Sequence, residues 1–154
     1  MASNPARRSV KAAGLADSAP YGYEQCIRVG DLVYVAGQVG VDDKYNVVSE
    51  DLTAQARQAF SNVQHALKAA GGGLQDLVSM TVFLTDIERD FKDFIAVRNQ
   101  FLKPGTPLPT SAAIGIAKLA FPTLKIEIQA VAAIPQKKPA AKKKPAKPAR
   151  RRRR

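Results

Sequence analysis

The sequence predicts an α+β domain in which two helices cover one face of a mixed β-sheet. Three observations predict it. Apolar residues recur at helical spacing in two segments, runs rich in Val, Ile and Thr lie before, between and after these segments, and glycine or proline ends most of them. The element order is ββαβαββ. With 154 residues, of which 45% are hydrophobic, the chain has room for one such domain and a short appendage.

The first half of the domain holds two strands and the longer helix. Residues 25–29 and 32–39 are predicted strands joined by a two-residue turn. After a polar loop over residues 42–46, residues 52–70 carry apolar side chains every three or four positions, which is the spacing of a helix. Three consecutive glycines, residues 71–73, end this helix.

The second half repeats the alternation with a shorter helix. Residues 77–84 are a predicted strand, and residues 90–102 are a predicted helix that stops before Pro104. Residues 110–119 and 124–133 are the last two strands. Because the strands carry apolar residues on both sides, we expect an oligomer to bury the sheet face that the helices leave uncovered.

Positive charge is concentrated near the C-terminus. The chain has 24 Lys and Arg against 13 Asp and Glu, and eleven of the basic residues, with no acidic one, fall within residues 136–154. Residues 1–135 therefore carry no net charge. We expect a flexible N-terminal segment (1–20), a folded domain (21–135) and a disordered tail (136–154), because the tail has no large apolar side chain to bury.

A single cysteine and a single histidine exclude several chemistries. Cys26 and His65 cannot form a disulfide or a structural zinc site, which takes about four Cys or His ligands. We expect neither a metal nor a cofactor. His65 falls outside the apolar stripe of its helix, which argues against histidine-based catalysis, and Cys26 is expected to be structural. No run of about 18 apolar residues and no signal peptide is present, which predicts a cytoplasmic protein.

Two charged residues lie in apolar surroundings. Glu127 alternates with Ile126 and Ile128 in the last strand, where its carboxylate either meets solvent at an interface or is partly desolvated and able to exchange protons near neutral pH. Arg98 falls within the apolar stripe of the second helix. Its guanidinium either reaches past the helix to water or enters an interface pocket, where it would bind a carboxylate.

Five segments, in order, resemble the RidA/YjgF family of reactive-intermediate deaminases, also called the endoribonuclease L-PSP family. They are GDLVYVAGQ (30–38), AQARQAFSNV (54–63), AAGG (69–72), LVSMTVFLTD (77–86) and KIEIQAVA (125–132). The resemblance covers residues 23–133. It implies a chorismate-mutase-like α+β fold and a homotrimer with small-molecule pockets at the subunit interfaces.

The resemblance also implies an activity, the hydrolysis of enamine or imine metabolites to ketoacids and ammonia. Glu127 and Tyr23 match the family residues that position the attacking water. Gly37 and Gln38 match the Gly-Gln strand end, and are expected to contact the substrate. The family motif Pro-Ala-Arg-Ser-Cys reads Pro-Thr-Ser-Ala-Ala here, so Ser111 stands where the arginine that holds the substrate carboxylate would be.

This departure from the motif changes the expected activity. A charge-assisted Arg–carboxylate contact contributes about 1.5–3 kcal/mol, and the hydroxyl of Ser111 carries no charge. Either the ligand lacks the carboxylate, or Arg98 binds it instead, or the pocket no longer catalyses. We expect a divergent enamine/imine deaminase of weak or altered activity. The alternatives are a non-catalytic metabolite-binding or interaction trimer and a protein that associates with nucleic acid through its tail.

The tail is a solubilising extension, a nuclear-import signal or a contact for nucleic acid. If it contacts nucleic acid, binding of nonspecific DNA or RNA to the full chain should weaken about 10³-fold between roughly 50 and 200 mM salt, because six or more phosphate contacts release counterions. A chain that ends at Pro135 is the control in the same binding titration. Equal binding by the shortened chain would contradict the prediction and place the nucleic-acid site in the folded domain.

Overall fold

The computed structural model describes residues 6–136, which form one six-stranded sheet and two helices. The strands are β1 (Arg7–Ser9), β2 (Cys26–Val29), β3 (Leu32–Val39), β4 (Leu77–Leu84), β5 (Thr110–Gly115) and β6 (Ile126–Ala133). The helices are α1 (Leu52–Ala69) and α2 (Ile87–Phe101), and short 3-10 turns cover Ala19–Tyr21 and Leu74–Asp76. The predicted tail, apart from Gln136, lies outside the described residues.

The sheet is mixed, as predicted. Its strand order is β1-β2-β3-β6-β4-β5, so β6 lies between β3 and β4, and β1 and β5 are the edges. Strands β4 and β5 are parallel, and every other neighbouring pair is antiparallel. Helix α2 connects the parallel pair, which needs a long crossover. Neither helix in residues 6–136 has the length and apolar character needed to cross a bilayer.

Side-chain caps explain where the helices begin. The Asp51 carboxylate accepts a hydrogen bond from the main-chain N–H of Ala54 (2.8 Å) at the start of α1. The Asp86 carboxylate does the same for Arg89 (3.1 Å), so α2 begins at Ile87, three residues before the predicted start. The α+β prediction with two helices is confirmed, while β5 and β6 are shorter than the predicted strands.

Strand β1 is an element that the sequence analysis did not predict. It adds to the edge of β2, with Arg7 opposite Val29 and Ser9 opposite Ile27. The Ser9 hydroxyl also donates a hydrogen bond to the Glu24 carboxylate (2.7 Å). Its three residues are all exposed and show no apolar alternation, because main-chain pairing rather than burial holds them.

The core lies between the helices and one face of the sheet. Helix α1 packs against β3, β6 and α2. The ring of Phe60 in α1 is stacked on two rings of α2, with centroids 6.4 Å from Phe94 and 4.9 Å from Phe101. Alternate residues of β6 complete the core, and they are Ile126, Ile128, Ala130 and Ala132.

The opposite face of the sheet carries no helix. The β6 residues between the buried ones, including Glu127 and Gln129, point to this face. Leu32 and Tyr34 of β3 remain 41% and 46% exposed, so large apolar side chains meet solvent in the single chain. The oligomer that the sequence predicts over this face stays a prediction.

Arg28 is a buried cation whose hydrogen bonds go to main-chain carbonyls. Its guanidinium donates to the carbonyls of Gly30 (3.2 Å), Ile134 (2.8 Å) and Ala70. It thereby joins the β2–β3 turn, the residue after β6 and the C-terminal end of α1. The positive charge also lies at the helix end where the macrodipole favours a cation.

Replacing Arg28 should destabilise the fold. We expect Arg28→Met to lower the free energy of unfolding by about 3 kcal/mol, because three carbonyls lose their donor. Urea unfolding followed by circular dichroism measures the change. Arg57→Met, at an exposed position of α1, is the matched control and should change the stability by less than about 0.5 kcal/mol. Equal stability of the two variants would contradict the assigned role of Arg28.

Candidate functional site

A cavity of about 450 Å³ opens at the end of the sheet where β3 and β6 lie side by side. The segment before β2 contributes Tyr21 and Tyr23, and the loop after β3 contributes Tyr45. Phe121 comes from the loop before β6. Among the described residues that line this cavity, Glu127 is the one charged side chain. The cavity is therefore aromatic with a single carboxylate.

The position of Glu127 depends on a glycine in the neighbouring strand. The register between β3 and β6 shifts between Val35 and Gln38, which marks a β-bulge at Ala36 and Gly37. The Glu127 carboxylate lies over Gly37 so closely that a Cβ atom there would collide with Oε1. Gly37 therefore allows the carboxylate to lie on the β3 backbone at the cavity.

Burial changes the proton affinity of this carboxylate. Glu127 is half-buried, and desolvation raises the pKa of its carboxyl above the ordinary value of 4.5. The raised pKa makes the carboxylate a stronger base and keeps its acid form present at higher pH than for a solvated glutamate. Glu127 is thus suited to accept and return a proton. The sequence pointed to this residue through one charge in an apolar strand.

Two of the tyrosines that line the cavity bring their hydroxyl groups together. The Tyr23 and Tyr45 hydroxyl oxygens are 3.1 Å apart, and the Gln25 side-chain amide donates to the Tyr45 hydroxyl at 3.5 Å. Burial is the main cause that raises the pKa of Tyr45, and the hydrogen bond with Tyr23 adds to it. The Tyr45 hydroxyl therefore stays protonated and can donate or accept a hydrogen bond.

Gln38 lies beneath the site rather than in the cavity. Its side chain is 3% exposed and donates to the Gln25 side-chain oxygen (2.8 Å) and to the Ala36 carbonyl (3.1 Å). These bonds hold the bulge that presents Gly37. The placement favours a positioning role for Gln38, while the substrate contact expected from the resemblance stays a prediction.

Ser111 and Arg98 lie away from the cavity in the single chain. Ser111 is exposed on the edge strand β5, opposite Met80 of β4. Arg98 is half-buried near the end of α2. Neither residue lines the cavity that holds Tyr23, Gly37 and Glu127. Their proposed contacts with a ligand carboxylate stay predictions that require a second copy of the chain.

Cys26 and His65 occupy the environments that the sequence predicts. Cys26 is fully buried, and desolvation raises the pKa of its thiol to about 11, so it is protonated and unreactive at neutral pH. His65 is exposed on α1. Over residues 6–136, no three His, Cys, Asp or Glu side chains come together as a metal site would require.

Several residues that shape the cavity were not predicted from the sequence. Tyr21, Tyr45 and Phe121 line it, and Tyr45 was hidden in a segment that looked like an ordinary polar loop. Gln55 is fully buried in α1, where its side chain donates to the Thr123 carbonyl (2.8 Å) and accepts from the main-chain N–H of Lys125 (2.8 Å). Gln55 therefore holds the loop before β6. Its place within the apolar stripe of α1 was the sequence signal that could have identified this role.

Comparison with known proteins identifies the family. The model of the family described as Endoribonuclease L-PSP matches residues 4–134. The chain belongs to this family. It is the RidA/YjgF family that the sequence motifs predicted, and that prediction is confirmed.

Individual RidA-family relatives match over most of their length. RutC family protein YjgH of Escherichia coli (strain K12) is 36% identical over 118 residues, which cover 77% of this chain and 87% of YjgH. The 2-iminobutanoate/2-iminopropanoate deaminase of Salmonella typhimurium is 37% identical over 111 residues, which cover 71% of this chain and 85% of that enzyme.

Solved RidA-family structures share the fold. The structure of protein YjgH has a TM-score of 0.77 at 36% identity, and the match covers 85% of this chain and 98% of YjgH. RidA from the Antarctic bacterium Psychrobacter sp. has a TM-score of 0.75 at 32% identity, covering 82% of this chain and 99% of that protein. The α+β fold of this chain is therefore the RidA fold.

Proposed function

We propose that this RidA-family chain hydrolyses a small enamine or imine to a carbonyl compound and ammonia. The observation that carries the proposal is the half-buried Glu127 carboxylate, whose pKa is raised and which lies against Gly37 in a cavity. The 2-iminobutanoate/2-iminopropanoate deaminase among the relatives supports the same reaction class. Water and the substrate are the only reactants that this chemistry needs, so it requires no cofactor.

The position of Glu127 in the cavity suits a carboxylate that takes a proton from the attacking water and later gives it to the leaving nitrogen. The imine reacts as its protonated form, the iminium. Water adds to the C=N carbon while the Glu127 carboxylate takes one proton of the water, and the C=N electron pair moves to nitrogen to give a neutral amine beside the new hydroxyl group. Glu127 then returns its proton to this nitrogen, the C–N bond breaks with its electron pair on the leaving ammonia, and the hydroxyl proton passes to the ammonia as the carbonyl forms. The sum is iminium plus water to carbonyl plus ammonium. Tyr23, which lines the same cavity and contacts the Tyr45 hydroxyl, would orient the water or the substrate.

A homotrimer is part of the proposal. The helix-free sheet face leaves Leu32 and Tyr34 of β3 exposed, and all six residues of the edge strand β5 are exposed. Burial of such a face by further copies would stabilise the assembly. A neighbouring copy would also complete the cavity, which is where Ser111 or Arg98 could reach the ligand.

The second candidate is a metabolite-binding trimer without catalysis. Ser111 favours it, because the position that the family resemblance assigns to a carboxylate-binding arginine carries no charge here. The two candidates share the same cavity and the same assembly. They differ in whether Glu127 exchanges a proton with a bound imine.

Ammonia release separates the two candidates. We expect the chain to hydrolyse members of a panel of imines, and this turnover should depend on Glu127. Turnover of 2-iminopropanoate should be weak, because position 111 has no arginine to bind the substrate carboxylate. Glu127→Gln should lower kcat/KM about 100-fold or more, since general acid–base catalysis contributes about 10²–10⁴-fold. Glu88→Gln, the same change at an exposed position of α2, should leave the rate unchanged.

Two further variants complete the ammonia assay. Ser111→Arg should raise turnover of 2-iminopropanoate by restoring the charge. If the native chain already turns over this acid well, Arg98 supplies the charge, and Arg98→Ala should abolish the activity. Full activity of Glu127→Gln on every imine that the native chain hydrolyses would contradict the mechanism. Binding of these ligands without any ammonia release would favour the second candidate.

A further inference from the structure

Tyr45 is held in a backbone conformation that aromatic residues rarely adopt. Its φ is 64°, and it is the one residue other than glycine with positive φ in residues 6–136. The left-handed region brings Cβ close to the following carbonyl oxygen, so glycine or asparagine usually occupies it. A bulky side chain persists in this region only where the surrounding structure enforces the conformation, and such residues are concentrated at functional sites.

Hydrogen bonds within the loop around Tyr45 hold this residue in its strained backbone conformation. The Asp42 carboxylate accepts hydrogen bonds from the main-chain N–H groups of Lys44 and Asn46, both at 2.9 Å. The Tyr45 N–H donates to the Asp42 carbonyl (3.2 Å), and Val41 and Val47 close the loop as an antiparallel bridge. A tight loop of this kind usually contains one residue with left-handed backbone angles just before the chain pairs again, and glycine is typical there.

The strained position directs the Tyr45 ring into the cavity. The ring meets Tyr21 edge-on, with centroids 5.2 Å apart, and Phe121 edge-on at 6.3 Å. We call these three side chains the aromatic wall. Its rings come from three different segments of the chain, and Tyr45 is the middle one because it contacts both of the others. The wall therefore depends on Tyr45, although glycine would fit the backbone conformation at this position with less strain.

The charge and the volume of the cavity favour a ligand with an aromatic or large apolar group. Glu127 is the one charge that faces the cavity among the described residues, so a ligand carboxylate meets no cation there in the single chain. The volume of about 450 Å³ in the single chain leaves room beside a two- or three-carbon imine. An aromatic or large apolar substituent would occupy part of this room and make edge-to-face contacts with the wall.

We propose that Tyr45 sets the substrate class by completing the aromatic wall, which selects imines that carry an aromatic or large apolar side chain. This inference rests on the proposed function for its catalytic part. The wall also predicts selective binding of uncharged aromatic ligands, which does not depend on catalysis.

The catalytic test compares two imines that differ by one phenyl group. Phenylalanine and alanine, treated with an amino-acid oxidase, yield 2-imino-3-phenylpropanoate and 2-iminopropanoate, and ammonia formation is followed for each. We expect the native kcat/KM ratio to favour the phenyl imine by about tenfold or more. Tyr45→Gly should bring the ratio towards one, Tyr45→Phe should keep it, and Lys44→Gly on the same loop is the control that should leave it unchanged.

A stability readout distinguishes selectivity from a structural role. Tyr45→Gly removes the strain, so its melting temperature should not fall below that of Lys44→Gly. A ring that only stabilised the loop would instead give a lower melting temperature and equal losses for both imines. That pattern would overturn the inference, as would a native ratio near one or a preference that persists in Tyr45→Gly.

The binding test keeps the wall testable if no imine is hydrolysed. Calorimetric titration with phenylacetamide and with acetamide compares the same phenyl group on two unreactive amides. We expect the native chain to bind phenylacetamide about tenfold tighter or more, and Tyr45→Gly to lose this preference. Equal binding of the two amides by the native chain would overturn the inference. Selective binding without ammonia release would overturn the proposed function and retain the wall.

Discussion

The contact between the Glu127 carboxylate and the bare backbone of Gly37 is the constraint on which the site depends. The carboxylate can lie there because β3 bulges at that point and because position 37 has no side chain. The bulge in turn rests on Gln38, which hydrogen-bonds the Ala36 carbonyl from the buried side. Desolvation of Glu127 follows from this placement, so the same contact gives the site its chemistry.

Most of the fold could be predicted because it follows from periodic burial. The stripe of α1 and the alternation of β6 both appear in the sequence, and the strand over residues 77–84 was predicted with its observed ends. Strand β1 could not be found in this way. Main-chain pairing to β2 holds it, and such pairing leaves no pattern of apolar side chains.

The site could be predicted only where one residue broke a local pattern. Glu127 interrupts an apolar strand, and the structure places its carboxylate beside Tyr23 and Gly37 in one cavity. Tyr45 gives no such signal, because a left-handed φ depends on hydrogen bonds made by Asp42 across the loop. Ser111 lies on a sheet edge in the single chain, so its distance to a ligand depends on an assembly that a single sequence does not specify.

The proton affinity of Glu127 is the property on which the proposed chemistry depends most directly. Carbon-13 NMR of the glutamate carboxyl groups, followed from about pH 3 to 9, measures it within the native protein. We predict that Glu127 titrates above the ordinary value of 4.5 because burial disfavours its charge. Glu24 is an internal reference whose pKa lies below that value, chiefly because it accepts a hydrogen bond from Ser9. If Glu127 titrates at or below 4.5, its carboxylate is not desolvated and the proposed chemistry of the site is wrong.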